Sequence, residues 1–237
     1  MSVTPTTSSP SSLAAAVPAP PIRHLVVCAN PSVKSFDHAI VASYVQIAQE
    51  NHQEVVVRDL YALGFDPVLK ESERPLPGGM TLAADVAVEL DHLSSADILV
   101  LVYPIWFGLP PAILKGYVDR VLGSGYSFRD VQGQVGQPTL RGKPLLSFST
   151  SGTSQAWLNE QGQAMSLREI FDVYLWRGFG MKQSEHIMID NVVPNMSTAY
   201  AEEQLERVRQ TGIRTCATLA SESHAAHARV VMGDRLS

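Results

Sequence analysis

Asp97-Ile98-Leu99-Val100-Leu101-Val102-Tyr103 holds five consecutive aliphatic residues. They do not alternate with polar residues, as a strand with one wet face would. A short continuous run bounded by Asp97 and Pro104 predicts a strand buried on both faces, the usual state of strands in parallel sheets. Working outward, similar β-branched runs lie at residues 22–28, at 54–58 (Val55, Val56, Val57), at 143–149 and, more weakly, at 186–189. Helical patterns separate them. Residues 35–51 place Phe36, Ile40, Tyr44 and Ile47 on one face. Further helices are predicted over 82–94, 111–122, 166–178 and 198–221, the last with Glu202, Glu203, Glu206, Arg207 and Arg209 on its wet side. No internal repeat is present. This alternation of strand and helix predicts an α/β domain, a doubly wound parallel sheet covered on both faces. Ligands of such sheets sit beyond the carboxyl ends of the strands.

The 237 residues suffice for one large domain with tails. Residues 1–21 carry no charge and consist mainly of Ser, Thr, Pro and Ala, which predicts a disordered tail. Residues 222–237 read as a polar C-terminal tail, leaving 22–221 as the domain. Eighteen basic and 23 acidic residues give a net charge of −5, opposite to the sign a nucleic-acid binder usually shows. The longest uncharged apolar stretch, 98–114, is interrupted by Pro104, Pro110 and Pro111. It falls short of the roughly 20 residues that cross a bilayer, so no membrane insertion is expected. Cys28 and Cys216 lie far apart, and the seven histidines form no zinc pattern. A reducing, cytoplasmic setting and no metal are expected.

Three loops follow strands one, three and four. The first is Ala29-Asn30-Pro31-Ser32-Val33-Lys34-Ser35-Phe36-Asp37, which is neither a GxGxxG nor a P-loop sequence. It feeds a helix N-terminus, whose free N–H groups and dipole favour an anion, with Lys34 and the Ser32 and Ser35 hydroxyls as added donors. Ser35 as a plain N-cap explains it equally well. The second runs from Tyr103 through Pro104, Ile105, Trp106, Phe107 and Gly108 to Pro111. Adjacent aromatics between prolines offer an apolar wall to a flat ring; a buried plug is the plainer reading. The third, Ser149-Thr150-Ser151-Gly152-Thr153-Ser154, is rich in small donors, or is simply a capped turn. Together the three describe a site for a flat, phosphorylated molecule such as a flavin. No nucleophile motif stands out: the run Gly125–Arg129 fails GxSxG at its last position.

Asn30-Pro31…Ser35-Phe36-Asp37-His38-Ala39, Asp59-Leu60-Tyr61…Phe65-Asp66-Pro67 and Tyr103-Pro104-Ile105-Trp106-Phe107…Pro111-Ala112-Ile113-Leu114-Lys115-Gly116-Tyr117-Val118-Asp119-Arg120-Val121 resemble the NAD(P)H:quinone oxidoreductase family over about residues 22–215. That flavodoxin-like group includes DT-diaphorase, bacterial drug-activity modulators and flavoprotein subunits of potassium-efflux systems. The resemblance implies a five-stranded sheet of order 2-1-3-4-5, a homodimer, non-covalent FAD (or FMN), and NAD(P)H as the electron donor. It implies a ping-pong transfer of hydride through flavin N5 to a quinone or similar acceptor. Asn30, Lys34, Ser35 and Phe36 match positions at the flavin's phosphates and adenine side. Pro104, Ile105, Trp106 and Phe107 match the loop against the ring, and Ser149, Thr150, Ser151 and Gly152 the loop at its polar edge. Phe128 matches an aromatic of the substrate pocket.

The chain departs from DT-diaphorase at a Tyr and a His that there handle proton and charge. Trp157 and Gln163 stand at those catalytic positions. Trp donates one N–H, and Gln hydrogen-bonds without titrating. A regulatory subunit of a potassium-efflux antiporter and an electron carrier are the alternative readings. Residues 66–81 are a candidate lid or dimer arm.

Overall fold

The computed structural model describes residues 20–75 and 79–233. All but the last two residues of the tail expected at 1–21 lie outside them. Five strands, β1 (Arg23–Cys28), β2 (Glu54–Asp59), β3 (Ile98–Pro104), β4 (Leu145–Thr150) and β5 (Ser184–Ile189), form one sheet in the order β2-β1-β3-β4-β5, every pair parallel. This is the flavodoxin-like order. The register aligns the carboxyl ends: Cys28 pairs with Asp59 and Val102, and Pro104 with Thr150, which pairs in turn with Ile189. β3 is buried along its whole length, as its continuous aliphatic run requires.

α1 (Phe36–Glu50) and α8 (Thr198–Gly233) cover one face. There Ile40, Tyr44 and Val208 pack against Val26, Val100 and Phe148. α2 (Ala84–Ser95), α3 (Ala112–Tyr117) and the connection between β4 and β5 cover the other, where Leu93, Leu114 and Phe171 meet Leu25, Leu101 and Leu145. Two helices differ from their simple patterns. α3 runs on as a π-helical turn, Val118–Leu122. The helix expected over 166–178 is instead a chain of short pieces beginning earlier: α5 (Gln155–Glu160), α6 (Gln163–Leu167), a π segment (Arg168–Val173) and α7 (Tyr174–Gly178). α5 and α6 part at Gly162, whose φ of 69° no helix accommodates. α4 (Phe128–Gln132) starts at a capping box, in which Ser127 Oγ accepts the Asp130 N–H and the Asp130 carboxylate accepts the Ser127 N–H. The polar tail expected from residue 222 is helix through Gly233. Ala225, Ala226 and Ala228 favour helix, and no proline intervenes.

The stem of the expected 66–81 arm is anchored to α3 and its π turn. Arg120, 3% exposed, donates to Glu73 (2.6 Å), to Asp85 (2.7 Å) and to the Asp66 carbonyl (2.6 Å), with its guanidinium over the Phe65 ring. These bonds hold the Glu73 and Asp85 carboxyls below their ordinary range. A Cβ on Gly116 would stand 2.3 Å from Pro67 Cβ and 2.4 Å from Pro67 O, so only glycine lets the stem lie against α3.

Candidate active site

Loop one closes on its own side chains. Asn30 Oδ1 accepts the Ser32 N–H (2.9 Å), and its amide donates to the Asp37 carboxylate (2.5 Å). Ser35 is the N-cap of α1; its Oγ accepts the His38 N–H and bonds His38 Nδ1 at 2.8 Å. His38 Nε2 reaches Asp59 at the end of β2 (2.9 Å). Phe36 packs onto the apolar cluster under α1. Asn30, Ser35 and Phe36 thus shape the loop with their own side chains. Lys34 is exposed. Among the described residues the N–H groups of Val33 and Lys34 have no acceptor, and the first turn of α1 adds the unpaired N–H groups of any helix start. This donor set suits a phosphate.

Loop two leaves β3 at Pro104, and the Ile105 N–H donates to the Thr150 carbonyl (2.7 Å). Trp106 and Leu109 then exchange backbone bonds of 2.9 and 3.1 Å around Phe107 (φ 51°) and Gly108 (φ 81°). A bulky residue with positive φ is strained, and the turn keeps it there. Its effect is to hold the Phe107 ring fully in solvent and Trp106 half-exposed, beyond the sheet edge. A buried plug is not what forms.

Loop three splits in direction. Ser149 points inward: its Oγ is buried and lies 2.6 Å from His186 Nε2. Thr150 Oγ1 donates to Asp37 Oδ1 (2.9 Å). The Ser151 N–H is taken by the Ile189 carbonyl, and Ser151 Oγ accepts the Thr153 N–H. Gly152 is exposed. Asp37 therefore ties loop one to loop three, accepting from Asn30 and Thr150 together. It is 1% exposed, and burial pushes its carboxyl up from the ordinary range.

Gln163 joins loop two: a Cβ on Gly108 would stand 3.9 Å from Gln163 Oε1. Trp157 sits in the first turn of α5, its N–H capped by Ser154, with 45% of its surface exposed. It is not a core residue. Phe128 is 67% exposed. It lines a cleft of about 600 Å³ with Leu69, Val118, Val131, Ile170 and Tyr174, and none of the residues lining that cleft belongs to the three loops. Among the described residues no three His, Cys, Asp or Glu side chains are placed to hold a metal, and no helix is long and apolar enough to cross a membrane.

Residues 22–211 match the family described as Flavodoxin-like fold. An uncharacterized NAD(P)H oxidoreductase of Haemophilus influenzae is 35% identical over 173 residues, which cover 72% of this chain and 85% of that protein. A solved NAD(P)H:quinone oxidoreductase from Methanothermobacter marburgensis is similar at a TM-score of 0.70 and 25% identity, over 83% of this chain and 96% of that one. An FMN-dependent NADH-azoreductase from Bacillus anthracis, solved in complex with FMN, shares the fold at a TM-score of 0.63 and 16% identity, over 82% and 99% of the two chains. Of the quinone dehydrogenases of Rattus norvegicus and Homo sapiens that it also matches, the chain spans 56% and 65% of the length.

Proposed function

This chain belongs to the flavodoxin-like family of NAD(P)H oxidoreductases, and we propose that it is a flavin-dependent enzyme passing hydride from NAD(P)H to a quinone or similar flat acceptor. The observation that carries this reading is the Asp37 clamp. One buried carboxyl holds a phosphate-suited loop and a donor-rich loop together, beside a turn that keeps two aromatics out of the sheet edge.

The donor set fits a flavin. The Val33 and Lys34 N–H groups, the start of α1 and the Lys34 ammonium would hold its phosphates. The 104–107 turn would lie against its ring, and the 150–152 backbone at the ring's polar edge. When bound, the flavin supplies the two-electron chemistry, taking hydride from NAD(P)H and giving it to the acceptor in a ping-pong cycle. The protein orients the partners and sets the local charge. The Gly152 N–H, which has no acceptor among the described residues, would stabilise negative charge near it, as a donor of an oxyanion hole does. Gln163 offers an N–H donor next to loop two and Trp157 one from the first turn of α5, and neither titrates near neutrality. FAD is the cofactor we propose. The FMN found in the Bacillus anthracis neighbour makes FMN the other outcome of the test.

The Phe128 cleft is the face we assign to a second copy of the chain. Ile170 (59%) and Tyr174 (49%) are exposed beside it, an apolar patch that a homodimer would cover. In that dimer Phe128 would serve its partner's acceptor pocket. The setting is the cytoplasm, in keeping with two buried free thiols.

The test is direct. The purified chain should be yellow, release a flavin whose mass distinguishes FAD from FMN, and oxidise NADH steadily only when menadione is added. A colourless protein that takes up neither flavin, or a yellow one without acceptor-dependent turnover, overturns the proposal.

A further inference from the structure

Beneath the two loops assigned to the ring lies a buried polar chain that no step above uses. Ser149 Oγ stands 2.6 Å from His186 Nε2, His186 Nδ1 2.7 Å from Asp172 Oδ2, and Ser147 Oγ donates to Asp172 Oδ1 at 2.7 Å. Ser147, Ser149 and Asp172 are at most 1% exposed. The arrangement has the order of a hydrolytic triad, but its serine is sealed in the core and no substrate reaches it. Its position is more telling. Ser149 immediately precedes the 150–152 loop. Tyr103, whose ring centroid lies 6.2 Å from that of His186, immediately precedes the 104–107 loop. The Tyr103 hydroxyl is fully buried and has no partner among the described residues.

A buried carboxylate is costly unless paired. Asp172 has one ionisable partner, and it is His186. With His186 neutral the set carries one negative charge; with one proton added it carries none. β5 is the edge strand, and the His186 side chain keeps 7% of its surface exposed, which gives that proton a way in. The groups facing His186 are few. Asp172 comes from the π segment, Ser147 and Ser149 from β4, and Tyr103 from β3; Glu185, its chain neighbour, pairs instead with Arg214 of α8.

We propose that His186 and Asp172 are positioning residues that hold the compensating proton of the hydride-transfer reaction, the task that Trp157 and Gln163 cannot perform. The inference rests on the flavin reading above. Hydride brings two electrons and one proton to the site, and the site becomes more negative by one charge. One proton from water then moves to the His186–Asp172 pair, which becomes neutral. When the acceptor leaves, it carries the hydride and one proton taken from water, and the pair returns its own proton to water. The stabilised negative charge is felt through Ser149 and the loop that follows it.

The experiment uses flavin-loaded protein. If the wild type retains no flavin, the functional reading fails and the variants are not needed. If it does, the flavin midpoint potential is measured spectroscopically against pH for the wild type, His186→Gln and Asp172→Asn. At pH 7 His186→Gln should lower the potential by about 30 mV, a tenfold change for a two-electron couple, and lose one proton's share of the pH slope, about 30 mV per unit. Variants that keep their flavin and melting temperature with unchanged potential and slope overturn the inference. Should both variants fail to fold, the wild type still decides. At fixed pH 7 the ¹⁵N imidazole signals of His186 should move toward those of the doubly protonated ring when the protein is reduced, and unmoved signals overturn it.

Discussion

Asp37 is the residue through which two loops of the site act together. It lies at the second position of α1, where an acidic side chain also meets the positive end of the helix dipole. Thr150→Val removes one of its two side-chain donors and leaves a buried carboxyl half-satisfied, at a cost of about 1–3 kcal/mol. The expected outcome is a melting temperature several degrees lower and flavin affinity weakened about tenfold, read by thermal unfolding and flavin titration. The cysteines carry no such duty. Burial pushes the Cys28 thiol up to about 12 and the Cys216 thiol to about 11. Native protein at pH 8 should therefore resist iodoacetamide and label fully only once unfolded, as mass spectrometry would show. At this scale the sequence was partly legible. That loop three is donor-rich could be read from its composition. That Ser149 faces inward while Thr150 reaches Asp37 follows from the strand alternation carried to the very end of β4, a parity that only the observed register supplies.

Among the elements, the contact of the 66–75 stem with α3 decides how the site's flank is built. Gly116→Ala forces a Cβ into Pro67, and the backbone on both sides must move. A loss of about 1–3 kcal/mol is expected in denaturant unfolding, with no change in the slope of the transition. Arg120 adds a pH dependence. Its bonds lower the folded-state Glu73 value from an ordinary 4.5, so this contribution is complete above pH 4.5 and is lost as pH falls through the folded value. Wild-type stability should drop on acidification below that point. Glu73→Gln, already less stable at neutral pH, should drop less over the same range; equal slopes would contradict the assignment. The central strands were readable because buried parallel strands announce themselves as uninterrupted aliphatic runs, whereas the order of the five came only with the family resemblance. The two π turns were not, since a shift to i→i+5 bonding leaves the apolar spacing nearly unchanged. The capping box at Ser127 and Asp130 was present in the sequence and could have disclosed α4. The alanines after Ser223 could have disclosed the full length of α8, which at 1.5 Å per residue reaches about 54 Å.

Over the whole molecule, the Phe128 cleft takes none of its lining from loops one to three, and Phe128, Ile170 and Tyr174 are exposed in the single chain. A homodimer should sediment as a single species of about twice the 25.8 kDa chain mass. Replacing both Ile170 and Tyr174 with Glu should yield a monomer that binds flavin but turns over poorly; a fully active monomer would show that no second copy serves the site. The tie between loops one and three, by contrast, is intrinsic to one chain. The most direct measurement is anaerobic. NADH is added to the flavin-loaded protein, followed by menadione, while the yellow absorbance is recorded. A flavin-dependent NAD(P)H oxidoreductase loses its colour with one equivalent of NADH and regains it with one equivalent of menadione. A bound flavin that NADH leaves yellow contradicts that function.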